Sequence, residues 1–320
     1  MTTDAGSIVL GVGDADALFG EGSGAGSAEP LQIVDPHEAV VSPFDFAVTR
    51  GDGMFEATVV WDGYAVSLEN HLKRLAHTAA MIDMPAPNLP AFERAVEQLV
   101  DEYADPERGP IMRILVSRGP DRATGIGAAA PDQPHVWMFL DAKAALHNDA
   151  PITMTTLSRG YTSDVAERAP WLLCGAKTLS YAVNQSAHRE CARRGVDDSV
   201  FVTDDGYVLE CPNATIVARY GDEFVTPDPS IGILHGTTQR ELFAWARQEG
   251  KSFSYARRMP VERLREADAL YMTHGGWVIP VRSLDGRDYV VDQVQADAIN
   301  AAIHAGRTRA DALGIGPDNS

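Results

Sequence analysis

The sequence predicts an α+β protein of two domains, each formed by a mainly antiparallel sheet with helices. Three observations carry this prediction. The length of 320 residues is about twice that of an average domain. Short apolar segments are joined by turns such as Asp62-Gly63 and Asp205-Gly206, which favour hairpins and therefore antiparallel pairing. Between these segments lie longer ones whose apolar residues recur at helical spacing.

The first domain, residues 1–145, combines a hairpin with helices and further strands. Leu72, Leu75 and Ala79 share one face of a predicted helix, and Pro90 favours the first turn of the next. A Gly/Ser-rich segment at 20–28 predicts a flexible loop. The predicted elements are, in order, strands at 55–61 and 64–68, helices at 69–82 and 90–104, and strands at 111–117 and 135–140.

The second domain, residues 146–320, follows a connector at 141–151. Its strands between 199 and 227 are separated by short turns, which predicts an antiparallel meander. Gly195 and Gly250 favour the ends of two helices. The predicted elements are, in order, a strand at 152–158, a helix at 178–194, strands at 199–203, 207–210, 215–220 and 223–227, a helix at 238–249, strands at 269–273 and 277–281, and a helix at 292–313.

The composition excludes some partners and predicts the compartment. The chain has 27 basic and 45 acidic side chains, a net charge of −18, which argues against binding nucleic acid or an anionic membrane. Cys174, Cys191 and Cys211 show neither CxxC nor His-Cys spacing, which predicts reduced thiols and no metal site. The acidic N-terminus lacks a signal-peptide pattern and no apolar run has transmembrane length, so we expect a cytoplasmic protein.

Lysine is scarce, so lysine chemistry has few candidates. Only Lys73, Lys143, Lys177 and Lys251 are lysines among the 27 basic residues. Lys177 is distinguished by its sequence context, WLLCGAKTLSYA, between an apolar run and a predicted helix start. Apolar surroundings lower the pKa of an amine and favour a nucleophile or a Schiff-base lysine. A surface lysine with a buried stem remains the alternative reading of this pattern alone.

Several other motifs are arranged in order along the chain. They are RGDGMFE (50–56), HLKRL (71–75), VLE (208–210) with CPNATIV after it, LHGTTQ (234–239) and YMTHGG (271–276). In this order and spacing, from about Val48 to Val281, the segments resemble the class IV aminotransferase family, the fold-type IV pyridoxal-phosphate enzymes. This family includes branched-chain aminotransferases, D-amino acid aminotransferases and 4-amino-4-deoxychorismate lyases.

The resemblance implies pyridoxal 5′-phosphate as the cofactor and assigns it two principal residues. Lys177, the catalytic residue, forms a Schiff base with the cofactor and then moves the substrate proton. Glu210 binds the pyridine nitrogen and keeps it protonated, which makes the ring an electron sink. The resemblance also implies a homodimer and places the cofactor lysine in the domain 146–320.

The resemblance further implies a phosphate site. Arg74, in HLKRL, binds the phosphate as a bidentate donor. Thr237 and Thr238 lie at a helix N-terminus, where backbone N–H groups favour an anion. Thr273 and the glycine turn after it complete the phosphate site. Taken one at a time, these residues also fit ordinary roles as solvated charges or helix caps; their combination in family order favours the cofactor site.

The reaction is less specified than the cofactor, because the fold does not fix it. In VSRGPDR, Arg118 or Arg122 is a candidate for binding a substrate carboxylate, and a solvated loop arginine is the alternative. Glu56, a third substrate-side candidate, is the residue typical of the aminotransferases at its position. The overall pattern favours a 4-amino-4-deoxychorismate lyase acting on a small amino substrate. A D-amino acid or branched-chain aminotransferase is the alternative, and a non-catalytic cofactor-binding protein is a remote one.

Overall fold

The computed structural model describes residues 8–20, 29–38, 40–103, 109–121, 133–142, 150–310 and 313–316. The chain divides into two compact units. The first comprises Met1–Leu146 and Ala176–Tyr181, and the second comprises His147–Gly175 and Ala182–Ser320. The main division lies next to the expected one, but the short segment that contains Lys177 belongs to the first unit, not to the second as expected. Most of the Gly/Ser-rich segment and of the 141–151 connector, with Lys143, lies outside the described residues.

The first unit contains a six-stranded sheet in which every pairing is antiparallel among the described strands. Its elements are β1 (Ile8–Gly13), α1 (Ala15–Phe19), β2 (Leu31–Val34), α2 (Phe46–Thr49), β3 (Gly53–Trp61), β4 (Tyr64–Ala65), α3 (Leu68–Met81), α4 (Leu89–Asp101), β5 (Ile111–Ser117) and β6 (His135–Asp141). The strand order is β2-β1-β6-β5-β3-β4. The strand predicted at 64–68 is shortened to Tyr64–Ala65, and the other predicted strands and helices of this region are confirmed. The elements β1, α1, β2 and α2 were not predicted.

Helices α3 and α4 bury the apolar faces that the sequence predicts. Leu75 and Ala79 of α3 and Phe92 and Leu99 of α4 are completely buried. Helix α3 packs on β3, and α4 packs on β6 and β1. The Asn88 side chain accepts the Ala91 N–H and caps α4, with proline in its first turn. The first unit therefore has its core between the sheet and these two helices.

The second unit contains an eight-stranded sheet. Its elements are β7 (Ile152–Ser158), α5 (Val165–Arg168), α6 (Ala182–Arg194), β8 (Asp198–Val202), β9 (Thr215–Tyr220), β10 (Glu223–Pro227), α7 (Thr237–Gln248), β11 (Ser252–Ala256), α8 (Val261–Glu266), β12 (Ala269–His274), β13 (Trp277–Leu284), β14 (Arg287–Asp288) and α9 (Gln293–His304). The strand order is β11-β10-β9-β12-β13-β7-β8, with β14 on β13. Central pairings are antiparallel, while β7 with β8 and β13, and β10 with β11, are parallel. Together, the two sheets with their helices confirm the α+β class.

Three elements predicted for the second domain differ from the structure. The helix expected at 178–194 begins only at Ala182. The segment 207–210 forms two isolated bridges, Val208 with Val202 and Tyr207 with Pro260, instead of a strand, and β8 pairs with β7 instead of joining a meander. The last helix ends at His304. In each case tertiary hydrogen bonds replace the local pattern that the sequence suggested.

The sheet of the second unit carries an apolar core. Val217 and Ala218 of β9, Leu270 of β12 and Val281 of β13 are completely buried. Helices α7 and α9 pack against each other, α7 on β11 and β12 and α9 on β13. This arrangement fixes the N-terminus of α7 beside the ends of β9 and β12, which matters for the site. Within the part of the chain described, none of the helices has the length and apolar character of a membrane span.

Candidate active site

Lys177 is held in the first unit by strand-like hydrogen bonds to β3. The Phe55 N–H donates to the Lys177 carbonyl at 3.0 Å, and the Leu179 N–H donates to the Gly53 carbonyl at 3.0 Å. The Lys177 N–H donates to Thr78 Oγ1 of α3 at 3.3 Å. These bonds explain why residues 178–181 are not helical and why Lys177 groups with the first unit. The backbone of the lysine is therefore fixed on two sides.

The Lys177 side chain lies in aromatic surroundings. The residue is only 9% exposed. Its Nζ lies 4.3 Å from the centre of the Phe55 ring and 3.4 Å from the hydroxyl oxygen of Tyr181. The Phe55 and Tyr181 rings meet edge to face, with centroids 4.9 Å apart. The sequence predicted an apolar environment for this lysine, and the structure adds two aromatic rings and a hydroxyl within reach of its amine.

Arg74 and Glu56 form a buried, bidentate pair. Arg74 Nε donates to Glu56 Oε1 at 2.8 Å, and Arg74 Nη2 donates to Oε2 at 2.7 Å. The Nδ1 atom of His71 lies 2.6 Å from the same Oε2. Glu56 is completely buried. This enclosed carboxylate orients Arg74 and His71. The expected substrate contact of Glu56 stays a prediction of the sequence.

The electrostatics of this cluster are set by competition between burial and charge. Burial raises the pKa of Glu56, but the charge and hydrogen bonds of Arg74, with those of His71, outweigh it and lower the pKa to about 2. Burial lowers the pKa of His71, assisted by the charges of Arg74 and Lys177 and opposed by Glu56. At neutral pH an ionised carboxylate therefore lies between a guanidinium and a neutral imidazole that donates from Nδ1.

We expect Glu56→Gln to destabilise the fold in a pH-dependent way. The pKa of Glu56 is lowered from 4.5 to about 2 in the folded chain, a difference of about 3 kcal/mol. That stabilisation is complete above pH 4.5 and is lost as the pH falls toward 2. Urea unfolding at several pH values should show a large difference between wild type and Glu56→Gln at pH 7 that shrinks below pH 4.5. The exposed Glu69→Gln serves as the control, and a difference independent of pH would contradict the prediction.

Arg118 is held by hydrogen bonds to other parts of the first unit. Its Nε donates to Asp52 Oδ2 at 2.9 Å, and Nη2 and Nη1 donate to the carbonyls of Ile82 at 2.6 Å and Asp83 at 3.2 Å. Ile82 is the C-cap of α3, so the guanidinium binds the negative end of a helix. A carboxylate of this chain and two carbonyls thus engage Arg118, which favours a structural role; its contact with a substrate carboxylate stays a prediction of the sequence. Arg122 lies outside the described residues.

Arg118→Ala should therefore lower stability and leave substrate binding unchanged. Loss of its charged hydrogen bonds should reduce the free energy of unfolding by about 1–3 kcal/mol. The KM for the amino substrate should stay at the wild-type value. Chemical denaturation and steady-state kinetics measure both quantities, with the exposed Arg94→Ala as control. A raised KM at unchanged stability would return Arg118 to the substrate site.

In the second unit, Glu210 lies beside the N-terminus of α7. Its Oε2 accepts the Leu234 N–H at 3.1 Å, two residues before the cap of α7, Gly236. Its backbone carbonyl accepts the Phe201 N–H of β8 at 2.9 Å. The carboxylate is thus held by the backbone of LHGTTQ, and the structure brings together two motifs that are distant in sequence. Glu210 is half-buried.

The N-terminus of α7 is enclosed and has a glycine cap. Gly236 supplies no capping side chain, unlike Asp14, Asn88 and Asp292 at other helices. A Cβ on Gly236 would overlap the Thr215 hydroxyl, so only glycine fits. The first-turn N–H groups of a helix without a side-chain cap are left to bind an external acceptor. The buried hydroxyls of Thr237 and Thr238 lie on the same turn; the Gly236–Thr238 turn is called the α7 cup below.

Thr238 and Thr273 differ in what their hydroxyls can still do. Thr238 Oγ1 accepts the Gly276 N–H at 2.9 Å, which leaves its own proton available to donate. Thr273 Oγ1 donates to the Thr215 carbonyl at 3.2 Å, so its proton is already used. Thr273 Oγ1 thus links β12 to β9. A phosphate contact of Thr273 stays a prediction of the sequence.

The chemistry of the α7 cup fits the phosphate of pyridoxal phosphate. Hydroxyl donors and backbone N–H groups at the positive end of a helix are suited to a dianion. The nearby Glu210 offers a carboxylate, which is suited to a protonated ring nitrogen. Glycine at the cap leaves room where any side chain would collide. The donor set of the second unit is therefore suited to this cofactor.

Sequence reasoning missed several residues of the site. His71 shares a helix face with Arg74, three positions away, so the HLKRL motif contained the signal. Tyr181, Thr78 and Thr215 were missed because their contacts arise from tertiary structure. Thr215, in particular, encloses the cap of α7 from β9.

The second unit thus has a helix turn suited to an anion with a carboxylate beside it, and the first unit by itself holds a buried lysine. The family model described as amino-transferase class IV matches residues 53–284. The chain belongs to the class IV aminotransferase family. Members of this family use pyridoxal phosphate, and the chain is accordingly a pyridoxal-phosphate-dependent enzyme that acts on small molecules.

Similar proteins agree with this assignment. A bifunctional aminodeoxychorismate lyase / D-amino acid transaminase from Mycobacterium tuberculosis is 36% identical over 294 residues, 86% of this chain and 98% of that protein. A fold IV transaminase from Curtobacterium pusillum is 35% identical with a TM-score of 0.83, covering 93% of this chain and 99% of that one. An aminotransferase from Mycobacterium tuberculosis in its pyridoxal-phosphate-bound form is 31% identical with a TM-score of 0.79, covering 94% and 99%.

Proposed function

We propose that this chain is a 4-amino-4-deoxychorismate lyase, which releases pyruvate and leaves 4-aminobenzoate. The observation that carries the proposal is the similarity, over nearly the whole chain, to the mycobacterial protein named for this activity. A cytoplasmic location stays a prediction of the sequence.

The second candidate is a D-amino acid transaminase working at the same site. It is favoured by the other activity in the name of the mycobacterial relative and by the transaminase from Curtobacterium pusillum. Both reactions begin with removal of a proton from the carbon that bears the substrate nitrogen. They differ in the later steps, because pyruvate leaves in the lyase reaction, whereas the transaminase passes an amino group to a keto acid.

Bound pyridoxal phosphate supplies an aldehyde that condenses with amines and a ring that accepts electrons from the substrate carbon. Lys177 Nζ would hold the aldehyde and would move the substrate proton. The aromatic rings of Phe55 and Tyr181 keep water away from this amine and restrict its position. Glu210 would hold the ring nitrogen and keep its proton in place. The Leu234 N–H fixes one oxygen of that carboxylate.

The α7 cup of the second unit would hold the phosphate, with Thr237, Thr238 and the first-turn N–H groups as hydrogen-bond donors. A phosphate contact of Arg74, in the first unit, stays a prediction of the sequence. Arg74 is oriented by Glu56, which receives its Nε and Nη2 donors. Because an ionised Glu56 is needed for that orientation, the lowered pKa of Glu56 keeps Arg74 in place across the neutral range.

One pair of assays tests the proposal. Aminodeoxychorismate supplied alone should yield pyruvate and 4-aminobenzoate, without a keto acid. D-alanine supplied with α-ketoglutarate should yield glutamate if the second candidate holds. Lys177→Ala is the control for both, since background chemistry survives this substitution. Amino transfer without any release of pyruvate from aminodeoxychorismate would overturn the lyase and leave the transaminase.

We further propose a homodimer. In the second unit, Trp171 and Leu172 are 75% and 53% exposed, and in the first, Phe44 and Val48 are 72% and 59% exposed. Large apolar side chains at this exposure favour burial against another protein. Light scattering coupled to size exclusion measures the mass directly, and a monomer at micromolar concentration would contradict the proposal.

A further inference from the structure

The turn between β12 and β13 is a two-residue hairpin held at several atoms. Gly275 and Gly276 have φ values of +54° and +87°, the conformation that such a turn requires. His274 and Trp277 are the paired residues on either side. The N–H of Gly276 donates to Thr238 Oγ1, the hydroxyl of the α7 cup. The position of this turn therefore determines which way the Thr238 hydroxyl can donate.

Helix α9 contacts the same turn and the beginning of β13. His304, only 8% exposed, has its Nε2 atom 3.0 Å from the Gly276 carbonyl oxygen. Because a carbonyl only accepts, Nε2 must carry the proton. The His304 ring packs edge to face on Trp277, with centroids 4.4 Å apart. Asn300, one turn earlier, accepts the Val278 N–H and donates to the Val278 carbonyl.

These contacts fix both sides of Gly276. Its N–H is engaged by Thr238 and its carbonyl by His304, so the residue links α9 to the N-terminus of α7. Glycine has the widest choice of backbone conformations, and a glycine turn stays in one of them only when its neighbours hold it there. His304 supplies that restraint from a buried position, where an unpaired carbonyl would be costly.

We propose that His304 is a positioning residue for the phosphate of the cofactor. His304 donates to the Gly276 carbonyl and thereby holds the hairpin turn in place. The Gly276 N–H of this turn donates to Thr238 Oγ1. Because one lone pair of that oxygen is then occupied, the hydroxyl proton of Thr238 is directed to the anion. His304 itself does not touch the cofactor. The inference rests on the proposed phosphate site at the α7 cup and adds to that site a residue that has no contact with the ligand.

A pair of variants matched in packing tests the role. His304→Phe retains a ring beside Trp277 but has no donor, whereas His304→Gln places an amide N–H near the position of Nε2. We expect His304→Phe to bind pyridoxal phosphate about five- to tenfold more weakly, as for loss of one buried hydrogen bond. The phosphorus resonance of the bound cofactor should shift as well. His304→Gln should restore both the affinity and the resonance.

Two further variants separate the possible failures. Thr238→Val tests the cup itself, and Asp297→Ala, on the exposed side of α9, is the control. One outcome is that Thr238→Val binds the cofactor more weakly while His304→Phe keeps the wild-type affinity and phosphorus resonance. This result would overturn the role of His304 and leave the phosphate site standing. Unchanged binding in Thr238→Val would overturn the phosphate site. If Phe and Gln at position 304 weaken binding equally and both lower the melting temperature of the apoprotein, His304 has only a packing role.

Discussion

Lys177→Ala should abolish turnover and covalent attachment of the cofactor. The substitution removes both the amine that binds the aldehyde and the group that moves the substrate proton, so we expect a rate loss on the order of 10⁴-fold or more. The visible absorbance of the bound cofactor should change, because its aldehyde no longer joins the protein. Treatment with borohydride and then mass spectrometry should show wild-type Lys177 modified and the variant unmodified.

Lys73→Ala is the matched control for this experiment. Lys73 lies on α3 in the first unit and pairs with Glu69 at the surface, with 53% of its side chain exposed. Its loss should leave turnover and borohydride labelling intact. Retention of labelling in Lys177→Ala would transfer the role to another lysine and contradict the assignment.

Glu210→Gln should slow the reaction while keeping the cofactor bound. The amide retains the shape and one acceptor for the Leu234 N–H, but it cannot hold a proton on the ring nitrogen. Removal of one group that stabilises developing charge typically lowers kcat by a factor on the order of 10²–10³. Single-turnover measurements should show the loss in the proton-transfer step, and the substrate hydrogen isotope effect should increase.

Glu223→Gln provides a comparison within the same unit. Glu223 begins β10 and accepts from the Ser254 hydroxyl of β11, and it belongs to none of the cofactor motifs. We expect this variant to retain wild-type kinetics. If Glu210→Gln also kept near-normal turnover, the carboxylate would have no part in stabilising the reaction, and its position beside Leu234 would be structural.

Much of the fold could be predicted because local patterns and the fold agree. The strands at 111–117 and 152–158 match β5 and β7 residue for residue, since alternation and turn residues mark their ends. Thr178–Tyr181 instead has a helical pattern and pairs with β3. The carbonyls of Gly51 and Gly53 that it bonds lie more than a hundred residues away in the chain, and no local pattern contains them.

The candidate site, too, could be predicted only in part. The order of the family motifs along the sequence was sufficient to identify Lys177, Glu210 and the turn containing Thr238 as candidates. It was insufficient to find the partners of Arg118, because a loop arginine next to glycine looks the same whether it binds a substrate or the end of a helix. The pairing of Glu56 with Arg74 was likewise not predicted, since it depends on how α3 packs on β3.

The return of six residues, Ala176–Tyr181, to the first unit has a consequence for biosynthesis. A ribosome delivers β1 to β6 first, then part of the second unit, and only afterwards the segment that completes the edge of β3 and brings Lys177. The first unit emerges without its reactive amine and acquires it only when later chain docks. A fragment ending at Leu146 would consequently contain a sheet and helices but not Lys177. The enzyme therefore cannot be divided into two contiguous halves that each correspond to one unit.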